Sequence, residues 1–155
     1  MKGVKKILVP VDFSDCSKNA FSHALDIARE NKATIFLLHV IDVELIENLS
    51  SLGLCPKGDI RKRMEKSAKD GFDLMLSEVG RGKKGVSIRE IVEEGIPFIQ
   101  ILKKTKDMEI DLIVMGSFGT SSPMRRLLFG STVELVLRGV RTPVLCVPLP
   151  EAIEG

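Results

Sequence analysis

Residues 6–12 read Lys-Ile-Leu-Val-Pro-Val-Asp, a short block of branched apolar side chains that ends at a carboxylate. A strand with one face in water alternates apolar and polar residues. This block is continuous, so it predicts a strand buried on both faces. A second continuous block at residues 33–41 reads Ala-Thr-Ile-Phe-Leu-Leu-His-Val-Ile. Strands of this kind are typical of parallel sheets that helices cover on both sides.

Most of the chain between the predicted strands has helical periodicity. Ser14 is a candidate N-cap, and apolar residues recur at helical spacing from Ala20 to Ala28. The pattern predicts further helices at residues 59–79, from Gly95 and Pro97 onward, and at 130–138, with strands at 86–92, 110–115 and 142–147. Residues 42–58 have no sustained period and are predicted to form an irregular, flexible connection.

Five predicted strands alternating with four helices indicate an α/β fold. With right-handed crossovers, this order predicts one doubly wound domain over residues 1–155. Its five-stranded parallel sheet would be Rossmann-like, with strand order 3-2-1-4-5 and helices on both faces. A length of 155 residues also favours one domain, because a typical domain has about 100–200 residues.

Composition excludes several classes of partner. The chain has 23 Lys and Arg against 21 Asp and Glu, a net charge of +2, and no Trp or Tyr. This balance predicts no nucleic-acid partner and no attraction to an anionic membrane. No apolar run reaches the roughly 18 residues that a membrane span needs. The three cysteines are odd in number and lack metal-site spacing, so we expect a protein of the reducing cytoplasm.

The candidate site follows from the predicted topology. In an open doubly wound sheet, ligands bind beyond the carboxyl ends of the strands, where the strand order reverses. Residues 116–122, after the fourth strand, read Gly-Ser-Phe-Gly-Thr-Ser-Ser. Glycines at such a bend let backbone N–H groups approach a ligand closely, and successive N–H groups bind anions. The alternative is that Gly116 and Gly119 only make a tight turn.

A second phosphate-compatible element follows at residues 130–134, which read Gly-Ser-Thr-Val-Glu. The pattern matches a capping box, with Ser131 as the N-cap and Glu134 at the third helical position. A helix N-terminus presents free amides and a partial positive charge, which favour phosphate. The alternative is that Ser131 only caps its helix. Because the two elements bracket one loop, the sequence predicts a phosphate-binding site between them.

Other polar residues near these strand ends have two interpretations each. Asp12 ends the first strand and is a candidate acceptor for a ribose hydroxyl or an adenine amino group, or else a helix-cap or turn acceptor. Arg125 and Arg126 are candidates for a γ-phosphate clamp, although a solvated pair is commoner. His39 and Asp42 suggest a metal site, but a structural histidine is favoured because His39 and Val40 point to opposite faces of their strand.

Four stretches of the chain stand out together. Residues 6–14 read Lys-Ile-Leu-Val-Pro-Val-Asp-Phe-Ser, 38–42 read Leu-His-Val-Ile-Asp, 114–119 read Val-Met-Gly-Ser-Phe-Gly, and Gly130-Ser131 follows. With the closing Thr-Pro-Val-Leu-Cys-Val of residues 142–147, they resemble the universal stress protein family across essentially the whole chain. The Gly-x-x-Gly…Gly-Ser signature is that of the family's ATP-binding members. Ten residues separate its second and third glycines here, one more than is usual.

The resemblance implies that the chain is a nucleotide-binding domain for ATP, or for AMP or ADP. The implied contacts fall into three groups. The adenosine pocket would be lined by Pro10, Val11 and Asp12, with Val40 against adenine. The ribose and first phosphates would be bordered by Met115, Gly116 and Gly119, and the β- and γ-phosphates would be held by Gly130, Ser131 and Thr132. A divalent ion, Mg²⁺ or Mn²⁺, would arrive through the phosphates.

The resemblance also implies a regulatory stress-response module that acts through an unidentified protein partner. Family members dimerise through the last strand, here residues 143–147 beginning at Pro143, and an apolar edge strand needs a partner or a cover. The alternative function is a slow ATP hydrolase or phosphoryl transferase. The chain has neither a Gly-x-x-x-x-Gly-Lys-Ser/Thr loop nor a Gly-x-Gly-x-x-Gly after its first strand, so P-loop chemistry and dinucleotide binding are not supported.

Overall fold

The computed structural model describes residues 3–118 and 130–150, except for the side chain of Arg81. The five strands are β1 Lys6–Pro10, β2 Thr34–Asp42, β3 Ser87–Gly95, β4 Leu112–Gly116 and β5 Val144–Val147. The helices are α1 Asp15–Asn31, α2 Val43–Ser51, α3 Lys57–Val79, α4 Pro97–Asp107 and α5 Ser131–Gly139. A 3₁₀ turn at Gly80–Lys83 follows α3.

The strands form one parallel sheet in the order β3-β2-β1-β4-β5, which confirms the predicted topology. In the central register, Leu8 of β1 lies opposite Phe36 of β2 on one side and Ile113 of β4 on the other. The chain builds outward from β1 to β3, then crosses back to β4. The reversal of strand order therefore lies between β1 and β4, and in this class of fold a ligand-binding crevice is expected there, at the carboxyl edge of the sheet.

Alternation along the strands divides the core into two layers. Ile7 and Val9 of β1 pack with residues of α1 and α3, whereas Leu8 packs with residues of α4 and α5. All three side chains are fully buried. This explains why the opening apolar block is continuous, since each face of β1 meets its own helical layer. No helix within residues 3–118 or 130–150 has the length and apolarity needed to cross a bilayer.

The prediction that residues 42–58 form an irregular connection is wrong, because residues 43–51 form α2 and α3 already begins at Lys57. Asp42 is the N-cap of α2, and its Oδ1 accepts a hydrogen bond of 3.0 Å from the backbone N–H of Glu44. Ile46 is the one buried residue of α2. It packs with Ile41 and Ile60 in a small cluster beside the main core. Val43, Ile46 and Leu49 do recur at helical spacing, a short pattern that the prediction overlooked.

Ion pairs attach helices of both layers to the carboxyl end of the edge strand β3. Arg61 of α3 donates two hydrogen bonds of 2.8 Å to the carboxylate of Glu94. These bonds lower the pKa of the Glu94 carboxyl below its ordinary value. On the opposite face, Lys104 of α4 lies 2.6 Å from Glu93. The end of β3 is therefore held between α3 and α4, close to the carboxyl edge of the sheet.

Candidate functional site

The end of β1 brings Asp12 to the carboxyl edge of the sheet. The backbone N–H of Val11 donates to the carbonyl of Leu38 at 2.8 Å, so the pairing with β2 continues one residue beyond β1. Asp12 follows and is exposed. Its Oδ1 accepts a hydrogen bond of 3.0 Å from the N–H of Ser14, so Asp12 does serve as a turn acceptor. Asp12 is nevertheless exposed to solvent at the carboxyl edge of the sheet.

The N-terminus of α1 reaches the same edge and is capped by its own side chains. Ser14 is the N-cap, as predicted, and its Oγ accepts a hydrogen bond of 3.2 Å from the N–H of Ser17. Asp15 adds a negative charge to the first turn. The Ser14 hydroxyl therefore satisfies one free amide of this N-terminus, and the Asp15 carboxylate offsets its partial positive charge. Both effects make it a poor site for an anion.

The N-terminus of α5 lies beside the ends of β4 and β5. The N–H of Gly130 donates to the carbonyl of Ser117 at 2.9 Å, and the N–H of Ser117 donates to Val147 at 3.1 Å. These bonds bring together two of the glycine-containing segments that the sequence singled out, around Gly116 and around Gly130. Gly119, Arg125 and Arg126 lie outside the described residues.

The predicted capping box at Ser131 is wrong. Gly130 is the N-cap, with φ −63° and ψ 157°, and its carbonyl accepts the first helical hydrogen bond from the N–H of Glu134 at 3.1 Å. No side chain within the described residues caps this turn. The helix starts one residue earlier than the motif implies, so Glu134 lies a position too late to reach back to the cap.

This correction changes which groups α5 offers to a ligand. The backbone N–H groups of Ser131, Thr132 and Val133 have no acceptor within the helix, because they belong to its first turn. The N–H of Gly130 is already bonded to Ser117. Ser131 is exposed and Thr132 is half-buried, so two hydroxyls accompany these amides. The first turn of α5 therefore has the donors and the partial positive charge that suit an anionic group.

Gly116 allows β4 to lie close to the first turn of α1. A Cβ at this position would lie 2.7 Å from Cys16 Sγ and 3.0 Å from the carbonyl carbon and oxygen of Cys16. Close packing alone therefore requires a glycine here, whatever its part in ligand binding. The contact between Cys16 and Gly116 could not be predicted from the sequence, because the two residues are far apart along the chain and no local pattern joins them.

The predicted adenosine contacts divide between the two faces of the sheet. Val40 and Met115 pack in the layer that contains α4 and α5, and strand alternation places Pro10 on that same face. Val11 is buried in the opposite layer. Its N–H is bonded to Leu38 and its carbonyl accepts from His39. The structure thus gathers Pro10, Val40 and the buried Met115 on one face of the sheet, while Val11 is buried on the other face.

His39 makes the kind of backbone contact expected of a structural histidine. Its Nδ1 lies 2.9 Å from the carbonyl oxygen of Val11. A carbonyl only accepts, so Nδ1 carries the proton and donates. Asp42 is occupied in capping α2. Among the described residues, no group of three His, Cys, Asp or Glu side chains is arranged to hold a metal ion.

The fold defines a doubly wound α/β protein with an anion-compatible helix N-terminus at the carboxyl edge of the sheet, beside the ends of β4 and β5. The chain belongs to the universal stress protein family, whose family model matches residues 3–148. It is 32% identical over 148 residues to universal stress protein MJ0531 of Methanocaldococcus jannaschii, covering 95% of this chain and 84% of that protein. These matches confirm the predicted family.

Comparison with solved structures supports the same fold. The structure of the hypothetical protein MJ0577, another universal stress protein of Methanocaldococcus jannaschii, matches with a TM-score of 0.80 and 29% identity, covering 96% of this chain and 99% of that one. A universal stress protein in complex with cAMP matches at TM-score 0.62 and 23% identity, covering 95% and 98%. An Arabidopsis thaliana member with AMP bound matches with a TM-score of 0.64 and 20% identity, covering 95% of this chain and 93% of that one.

Proposed function

We propose that this protein binds an adenine nucleotide in the crevice between the ends of β1 and β4, with the phosphates at the N-terminus of α5. The observation that carries the proposal is the contrast between two helices at one edge of the sheet. α1 is capped by Ser14, whereas α5 begins at Gly130 without a side-chain cap among the described residues. Of these two N-termini, that of α5 is therefore the one suited to an anion.

Each part of the crevice suits one part of the nucleotide. Val40 and Pro10 offer partly buried apolar surface for the base, and the exposed carboxylate of Asp12 suits a ribose hydroxyl or an adenine amino group. Met115 and Gly116 would border the ribose, and Ser131 and Thr132 would hold the terminal phosphates with Gly130. We include Gly119 on the resemblance alone. The same fold holds AMP in one relative and cAMP in another, which supports adenine as the base.

The preferred ligand is ATP, with ADP and AMP as alternatives. We propose that Mg²⁺ or Mn²⁺ accompanies the nucleotide and is coordinated through its phosphates, because such hard cations bind well to phosphate oxygens. The protein would contribute amide and hydroxyl donors around the phosphates.

The nucleotide proposal is tested by isothermal titration with adenosine, AMP, ADP and ATP, with and without Mg²⁺. We expect affinity to rise from adenosine to the phosphorylated forms, because only these reach α5. GTP is the matched control, and its binding should be weaker than that of ATP. Flat heats with all four adenine compounds would contradict the proposal. Phosphate release measured in the same samples tests the alternative of slow hydrolysis or phosphoryl transfer.

We propose that nucleotide binding regulates a homodimer that signals to a protein partner in the cytoplasm. β5 pairs only with β4 among the described strands, so its outer edge is open to a second copy. Leu145 of β5 is 39% exposed, which adds apolar surface at that edge. The three cysteines are free, which fits a reducing compartment.

Replacing Leu145 with aspartate is expected to convert the dimer to a monomer. Pairing would remove the aspartate carboxylate from water, which costs free energy, whereas burying the leucine side chain at the same place is favourable. Sedimentation velocity at micromolar concentration should give twice the 17.1 kDa chain mass for the natural protein and a single chain for the variant. Leu74→Asp, at an exposed position on α3, is the control and should leave the mass unchanged.

A further inference from the structure

Phe13, next to Asp12, has a backbone conformation that is unfavourable for a bulky residue. Its φ is +65°, in the left-handed region that glycine and asparagine adopt more readily. A residue persists in such a conformation only where its surroundings determine it strongly, and such residues cluster at ligand sites. What holds Phe13 therefore bears on how the neighbouring Asp12 is placed.

The ring of Phe13 is enclosed by α3 and by β2. Its centroid lies 4.7 Å from that of His39 and 5.2 Å from that of Phe72, which meets it edge-on at 87°. A Cβ at Gly71 of α3 would lie 2.8 Å from three atoms of the ring, Cγ, Cδ1 and Cδ2. The ring therefore rests directly against the α3 backbone, in space that any side chain at position 71 would take.

The residue before Asp12 is held as well. His39, which contacts the Phe13 ring, also donates from Nδ1 to the carbonyl of Val11 at 2.9 Å. Asp12 thus lies between two residues that are fixed by the same group of side chains. Its own Oδ1 accepts from the N–H of Ser14, which limits the carboxylate further.

We infer that the contact of Phe13 with Gly71 is a positioning device, through which α3 sets the placement of the Asp12 carboxylate in the nucleotide crevice. The inference rests on the proposed function. Phe13 and Gly71 are positioning residues here, since they act on the nucleotide through Asp12. Pre-setting the turn before ligand arrives avoids an ordering cost on binding, which is how a preorganised site gains affinity.

Gly71→Ala is the direct test, because its methyl group occupies the space of the Phe13 ring. We expect it to weaken the binding of adenosine, AMP and ATP by the same factor, about tenfold, because Asp12 would contact the adenosine group that all three ligands share. Gly58→Ala is the matched control on the same helix, where a Cβ would meet nothing within 4 Å. It should leave all three affinities unchanged. Helix propensity favours alanine over glycine inside α3, so a loss at position 71 cannot come from propensity.

A second variant keeps the test valid if Gly71→Ala does not fold. Phe13→Gly removes the ring and makes a positive φ acceptable, so the turn loses its anchor without acquiring strain. It should reduce the three affinities by a similar common factor. In the Phe13→Gly background, adding Gly71→Ala should cause no further loss, because no ring remains to be displaced.

The inference and the proposed function fail in distinguishable ways. If the natural protein binds no adenine compound, the proposed function fails. If the natural protein binds, and both Gly71→Ala and Phe13→Gly bind like Gly58→Ala, only the positioning role fails. A loss confined to ATP would also overturn the inference, because it would place the effect at the phosphates rather than at Asp12.

Discussion

Ser131→Pro is expected to weaken ATP binding about 10- to 100-fold while leaving adenosine binding unchanged. Ser131 is the first residue of α5, where a proline is tolerated because its missing N–H has no helical partner. Gly130, at φ −63° and ψ 157°, already has the extended backbone that a following proline requires. The change therefore removes one amide donor to phosphate without breaking the helix. The loss should be measured by titration of both ligands.

Two further variants separate the amide from other effects of that substitution. Ser131→Ala removes the hydroxyl and keeps the N–H, so it should cost less ATP affinity than the proline. Lys57→Pro puts a proline at the first position of α3, after a residue at φ −63° and ψ 147°, and should leave ATP binding unchanged. Equal ATP affinity for Ser131→Pro and the natural protein would show that phosphate is not bound at this turn.

Gly116→Ala is expected to lower the free energy of unfolding by about 1–3 kcal/mol, the usual cost of overpacking a tight interior. The added methyl would lie 2.7 Å from Cys16 Sγ and 3.0 Å from the Cys16 backbone, so either α1 or β4 has to move. Urea denaturation at neutral pH measures the loss. Because α1 leads back to Asp12, nucleotide affinity should also fall in the folded variant.

The cause of that loss is checked by a second change at the contact. Cys16→Ala removes the sulfur from the contact but leaves the backbone atoms of residue 16 in place. In the Cys16→Ala background, we therefore expect Gly116→Ala to lower the free energy of unfolding by less than it does in the natural protein. Gly58→Ala, in open space on α3, should not destabilise the protein. A Gly116→Ala protein as stable as the natural one would mean that α1 shifts at no cost, contrary to the packing described above.

The fold was predictable because its strongest signal is local. Continuous apolar blocks such as residues 33–41 can be stable only where both faces of a strand are covered, and their alternation with helices restricts the sheet to a few topologies. The structure confirms the parallel sheet and its order. Residues 43–51 were mispredicted because the helical spacing of Val43, Ile46 and Leu49 is short, and the nearby turn-forming residues Gly53, Pro56 and Gly58 favour irregular structure.

The candidate site was predictable only as a set of positions. Strand ends and glycines mark the crevice, but the pattern around Ser131 was compatible with two helix starts one residue apart. The structure selects Gly130, where the N–H is bonded to Ser117 and the carbonyl accepts the first helical bond. Phe13 was missed altogether, since nothing in a single sequence indicates a positive φ at a phenylalanine.

The sequence by itself determined the α/β class, a small set of possible strand orders and the edge of the sheet where the glycines gather, because hydrophobic pattern and chain connectivity act over neighbouring residues. Only the tertiary structure decided which amides of α5 have no acceptor within the helix, why position 116 must be glycine, and how Phe13 comes to rest on Gly71. Each of these depends on contacts between residues far apart in the chain, whose distances are set when helices pack on the sheet and not by any local preference.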